Sequence, residues 1–178
     1  MAHGYTMAAE PELSERFRAA LDRHRGIVLK VAASYCPDPH DRADLAQEIA
    51  AQLWHAFPRY DGTRAFSTWM YRIALNVAIS FRRASGRRER HVVGWDDTAH
   101  DVAVPADDTV AGERIAALYR CIDRLDPLNR ALLLLYLDER SQREIAEILG
   151  LTETNVATKI GRLKQRLRAD LSDSSTGA

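Results

Sequence analysis

The chain has little to tie it together covalently and nothing to carry it through a bilayer. Only two cysteines occur in 178 residues, Cys36 and Cys121, far apart and without a CxxC partner. That argues against a disulfide framework or a zinc ribbon, and both read as buried thiols, one in each half of a cytoplasmic protein. The longest purely apolar run is ALLLLYL, far short of the ~20 residues a membrane span needs. The opening stretch MAHGYTMAAEPELSER lacks the basic start and apolar core of a signal peptide. Strand-like alternation is nearly absent, and no internal repeat, P-loop, nucleophile elbow or glycine-rich phosphate cradle is present. The expectation is an all-α protein with no catalytic residue, no cofactor and no metal.

An excess of one charge is also missing: 25 Lys and Arg balance 25 Asp and Glu. The distribution is uneven, however. Arg64, Arg72, Arg82, Arg83, Arg87, Arg88 and Arg90 are opposed by Glu89 alone. From Val92 to Glu113 there is no Lys or Arg, while Asp96, Asp97, Asp101, Asp107, Asp108 and Glu113 are present. After Thr152 the chain turns basic again with Lys159, Arg162, Lys164, Arg166 and Arg168. Two basic segments flank an acidic one, and local sign decides where phosphate is attracted. The acidic stretch should weaken unassisted DNA binding and suits a basic groove on a partner.

What is present is helical punctuation. In SQREIAEILGLTETNVATKIGRLKQRLR, Ser141 followed by Glu144 is a capping box that starts a helix. Ile145, Ile148 and Leu149 form its apolar stripe, and Gly150 stops it where a left-handed residue costs least. Thr152 can cap the next helix, with Val156, Ile160, Leu163 and Leu167 inward. Two short helices across a tight Gly turn make a helix-turn-helix. The second helix then carries Thr154, Asn155, Thr158, Lys159 and Arg162 outward, polar groups suited to base edges and phosphates of duplex DNA. The competing reading is an ordinary solvated face.

Upstream, a first helix begins near Pro11 or Ser14 with Phe17, Leu21, His24, Val28, Val31 and Tyr35 on one face, and CPDPH breaks it. A second runs from about His40 to before Pro58 with Leu45, Ile49 and Leu53 inward. A third covers AFSTWMYRIALNVAISFRRA, with Phe66, Met70, Ile73, Val77 and Phe81 as its expected buried stripe. Residues 10–86 thus form a three-helix domain. Residues 87–112 read as a flexible acidic linker, too long for a connection inside one compact domain. Residues 113–171 form a second domain of four helices, Asp126-Pro127 being a cap followed by proline at the first helical position.

Two faces of the first domain carry chemistry. Trp69, Arg72, Asn76, Ile79 and Arg83 lie on one side of the third helix, and the preceding loop adds Tyr60, Arg64 and Phe66. Rings interleaved with arginines suit single-stranded nucleic acid, because unstacked bases pile on rings while cations hold the backbone. Equally, Trp69 can simply complete the core edge. The second helix holds Asp44, Gln47 and Glu48, with Asp41 on the same face. A metal-dependent enzyme built on these acids lacks a Glu-x-x-His pair or a matching acidic helix, so a solvated patch or a protein-docking patch remains.

Taken in order, these segments resemble a bacterial sigma factor of the extracytoplasmic-function group. DRADLAQEIAAQLW resembles the family's polymerase-docking segment, AFSTWMYRIALNVAISFRR its −10 segment, and RLDPLNRALLLLYLDERSQREIAEILGLTETNVATKIGRLKQRLR its −35-reading domain. The resemblance implies that Asp44, Gln47 and Glu48 contact core RNA polymerase. It implies that the Tyr60-to-Phe66 loop captures a flipped −10 base, with Trp69 and Asn76 beside it, and that the linker threads through the polymerase. Ala157 and Gly161 depart from the family pattern, where a basic or bulky residue is common. No fused regulatory domain is evident, so control is expected from a separate anti-sigma factor, with no membrane insertion. A conventional helix-turn-helix regulator of duplex operators is the alternative.

Overall fold

The structure is a computed structural model that describes residues 9–91 and 121–176. Every regular element among those residues is helical. In chain order they are α1 (Ala9–Tyr35), α2 (Pro39–Ala56), a 3-10 turn (Phe57–Arg59), α3 (Phe66–His91), α4 (Pro127–Leu137), α5 (Gln142–Leu149) and α6 (Glu153–Thr176). Contacts divide the chain into two compact units, Met1–Phe81 and Arg82–Ala178.

In the first unit α1 packs on α2. The break between them is stitched by side chains at both ends. Asp38 caps α2, its carboxylate accepting from the His40 and Asp41 N–H groups at 2.8 and 3.0 Å. Those two bonds, Asp41 first, hold its carboxyl below the usual range. Pro39 fills the first helical turn, where its missing N–H costs nothing. Arg42 reaches back to the carbonyls of Cys36 and Pro37 at 3.1 and 2.7 Å, satisfying acceptors the end of α1 leaves open.

The core of this unit is Val31, Tyr35, Leu45, Ile49, Leu53, Met70 and Leu75, none more than 1% exposed. The expected faces of α1 and α2 are those found inside, with Leu21 and His24 only half-buried. The expected stripe of α3 is rotated. Its buried residues are Thr68, Met70, Tyr71, Ala74, Leu75 and Ala78, whereas Phe66, Ile73, Val77 and Phe81 are half-buried. Alanines at 74 and 78 are small enough to be covered completely, which ranking residues by hydrophobicity alone does not reveal. α3 also runs to His91, so residues 87–91, assigned above to the linker, are helical; the remainder, 92–112, lies outside the described residues.

Beyond the end of α3, the second unit is described from Cys121. The helix expected from Glu113 is seen only in its last turn, 121–123, residues 113–120 lying outside the described set. Asp126 caps α4 by accepting from the Leu128 and Asn129 N–H groups, each at 3.1 Å. Arg130, only 3% exposed, donates to the Asp123 carbonyl at 2.9 Å and lies 3.4 Å from the Asp123 carboxylate. A buried guanidinium must be paired, and this one fixes the start of α4 to the helical turn before it. Ala131, Leu132 and Leu135 of α4, Ile145 of α5 and Val156 of α6 are fully buried. Neither cysteine is in a disulfide, and both thiols are buried.

Candidate nucleic-acid interface

The approach to α5 is made by Asp138–Arg140, with Glu139 in the left-handed region at φ 56°. Arg140 lies 3.3 Å from both the Asp138 and Glu144 carboxylates. Ser141 then closes a reciprocal capping box: the Glu144 N–H donates to its hydroxyl at 3.2 Å, and its own N–H donates to Glu144 Oε2 at 3.0 Å. Bonds from Ser141, the backbone N–H first and the hydroxyl second, hold the Glu144 carboxyl below its ordinary range.

α5 ends at Gly150, φ 67°, with the Leu151 N–H returning to the Ala146 carbonyl at 2.9 Å. That left-handed residue reverses the chain in one step. Thr152 caps α6 through its hydroxyl, which accepts from the Asn155 N–H at 3.2 Å. Val156, Ile160 and Leu163 are buried, so the opposite face is fixed outward. Thr154, Asn155, Thr158, Arg162 and Gln165 are exposed, as are the small Ala157 and Gly161. Lys159 differs from expectation. It is half-buried, because position 159 borders the Val156–Leu163 stripe and a lysine stem covers apolar surface while its ammonium reaches water. Thr158 donates its hydroxyl to the Thr154 backbone carbonyl at 2.9 Å, which holds the Thr158 side chain against the preceding turn.

Tyr60, Phe66 and Trp69 belong to one aromatic cluster of the first unit. Tyr60 and Trp69 have ring centroids 5.1 Å apart, Phe66 and Trp69 5.2 Å in a near-parallel stack, and Tyr60 and Phe66 5.3 Å edge to face. Phe57, buried under them, touches all three rings. His24 of α1 lies 5.4 Å from Phe66, and Phe17 reaches Phe57 and Trp54 at 5.2 Å each. Tyr60, Phe66 and Trp69 pack on one another and are half-buried, so each ring stays partly accessible. Arg64, Arg72, Asn76 and Arg83 are exposed. Sequence reasoning named Tyr60, Phe66 and Trp69 but missed Phe57, Phe17 and His24 as their support; HAFPRY carries no periodic signal for it.

On α2, Asp41, Asp44, Gln47 and Glu48 are all exposed, opposite fully buried Leu45, Ile49 and Leu53. Glu48 accepts from Gln52 at 2.9 Å. An exposed acidic stripe on a helix has the charge that a basic partner's surface would complement.

Comparison with known proteins joins these faces. The chain matches the family model for Sigma-70 region 2 over residues 20–88 and that for Sigma-70, region 4 over residues 115–167. It is 28% identical over 169 residues to the ECF RNA polymerase sigma factor SigW of Bacillus subtilis, covering 89% of this chain and 90% of that protein. Among solved structures it is similar to CnrH in complex with the cytosolic domain of CnrY, at 26% identity, TM-score 0.62 and 90% of both chains. The sigma factor RpoE in complex with the anti-sigma factor NepR from Bartonella quintana shares the fold, with TM-score 0.62, 17% identity and coverage of 90% of this chain and 97% of that one. With an aromatic, arginine-flanked unit and a helix-turn-helix unit matched in the same order by the two sigma regions, the protein belongs to the extracytoplasmic-function sigma factors of bacterial RNA polymerase.

Proposed function

We propose that the two units divide promoter recognition between two forms of DNA. The second unit takes duplex −35 DNA on α6, where Thr154, Asn155 and Thr158 lie toward the helix start that enters the major groove. Lys159 and Arg162 follow, suited to phosphate or guanine. The first unit takes single-stranded −10 DNA. A base leaving the stack meets the accessible side of the Tyr60, Phe66 and Trp69 rings, while Arg64, Arg72 and Asn76 hold backbone and base edge. Asp44, Gln47 and Glu48 dock on core polymerase. Phosphodiester chemistry belongs to the polymerase, and the protein works in the cytoplasm under an anti-sigma factor, as a sigma factor of the same fold is held by NepR. The domain bounds that go with this division are 10–86, 87–112 and 113–171.

The observation that carries the reading is the presence in one chain of two surfaces with different nucleic-acid chemistry, a polar helix face and a half-open ring cluster. Transcription by core polymerase on a promoter pool randomised at −10 and −35 tests it. Initiation at selected promoters should require this protein. A conventional regulator would instead bind duplex operator alone and confer no initiation on core polymerase.

A further inference from the structure

The segment between the 3-10 turn and α3 is six residues long, Tyr60 to Ala65, and is tied down along its length. The Tyr60 hydroxyl donates to the Arg64 carbonyl at 2.7 Å, closing the loop end to end. Inside that closure Asp61 Oδ1 accepts two bonds from Thr63, one from its N–H at 3.0 Å and one from its hydroxyl at 2.8 Å. The turn is completed by Gly62 at φ +74°, a backbone that side chains rarely adopt. Asp61, Gly62, Thr63 and Arg64 are exposed, and a Cβ at Gly62 would meet nothing within 4 Å.

Packing does not account for this order. An exposed turn whose donors could bond to water adds little to fold stability. An acid is also a poor neighbour for a phosphodiester strand, yet Asp61 stands one residue from Tyr60 and three from Arg64. Its carboxylate is turned inward on Thr63, whose backbone N–H is the main cause of its lowered pKa. What the turn does achieve is to fix the rim of the ring cluster before any strand arrives. A loose rim of four residues would have to be ordered during capture, and that entropy cost would fall on the opening step.

We propose that Asp61 is a positioning residue for −10 strand capture, holding residues 61–64 in the receptive shape without touching a base. This rests on the −10 reading given above. The test uses holoenzyme assembled from core polymerase and full-length variants. The probe is a duplex promoter selected by wild-type holoenzyme from a pool randomised at −10 and −35, with 2-aminopurine in its −10 element. Asp61→Ala should open the probe about tenfold more slowly, the equivalent of ordering one further backbone residue. Asp61→Asn should recover most of the rate, since its Oδ1 can accept the same two bonds. The melting midpoints of both variants should match wild type.

Wild-type opening by Asp61→Ala overturns the proposal. So does an Asp61→Asn variant as slow as Asp61→Ala, which would make charge rather than the turn decisive. A changed −10 preference in Asp61→Asn on reselection would make Asp61 a base reader and overturn it too. Asn76→Ala separates the two levels. If it opens the probe normally along with Trp69→Ala, the −10 reading fails and this inference with it. If both are slow and Asp61→Ala is not, only the inference fails.

Discussion

The rings of Tyr60 and Trp69 lie 5.1 Å apart at a tilt of 44°, one in the loop and the other in the first turn of α3. The contact makes the candidate −10 site part of the fold, because Phe57 beneath both rings is buried in the same unit. Under the proposed −10 reading Trp69 has two roles, packing and strand capture, and its replacement confounds them. Asn76, two turns further along the same side of α3 and exposed, has no part in that packing.

Trp69→Ala is expected to lower stability by about 1–3 kcal/mol, less than a fully buried ring because one side is open. Asn76→Ala should leave the melting midpoint unchanged. Both should slow opening of a duplex promoter, read by fluorescence of a −10 base analogue with holoenzyme. A pre-melted −10 bubble should restore part of the Asn76→Ala activity. Normal opening by both would leave the cluster as core packing only.

Docking can be tested through charge. Asp44 and Glu48 are exposed while Leu45, Ile49 and Leu53 on the opposite side of α2 are fully buried. Asp44→Arg with Glu48→Arg should leave helix content and midpoint intact and abolish co-purification with core polymerase, since attraction becomes repulsion. Retention at wild-type strength would remove α2 from the interface.

How much of this was legible in the sequence depends on how local the cause is. Ser141 with Glu144, Gly150 and Asp126-Pro127 act within a few residues, and each does in the structure what its spacing implies. The phase of α3 was not legible. Ala74 and Ala78 are fully buried, and Ile73 and Val77 are left half-buried despite being more apolar. The ring cluster was half legible. Tyr60, Phe66 and Trp69 stand close in sequence, but Phe17 and His24 join them only through the packing of α1. Nothing local marks Arg130 as buried; its pairing with Asp123, seven residues earlier, accounts for its place inside.

On the recognition helix, Arg162 is exposed on the face opposite Val156, Ile160 and Leu163. If it reaches a base edge, Arg162→Ala should weaken −35 binding by roughly 1–3 kcal/mol and relax preference at one position. A phosphate contact would weaken all sequences alike and flatten the salt dependence by about one unit of slope. Selection from a −35 pool at two salt concentrations distinguishes them. An unchanged profile with unchanged affinity would take Arg162 out of the site.

The last prediction concerns acid. Glu144 is held below its ordinary carboxylate range by the Ser141 N–H and hydroxyl, and Arg140 adds to the effect. A depressed folded pKa means that the charged form contributes stability above the unfolded value of about 4.5. That contribution should be lost as pH falls through the lowered folded value. The melting midpoint of the wild type should therefore drop more steeply below about pH 5 than that of Glu144→Gln, whose amide oxygen can still accept from the Ser141 N–H. At neutral pH the order should be wild type, then Glu144→Gln, then Glu144→Ala, which loses the reciprocal bond altogether. Because α5 sets the angle at which α6 is presented, −35 affinity should follow the same order and converge between wild type and Glu144→Gln in acid. Parallel pH profiles for wild type and Glu144→Gln would show that the carboxylate charge does not stabilise the helix-turn-helix.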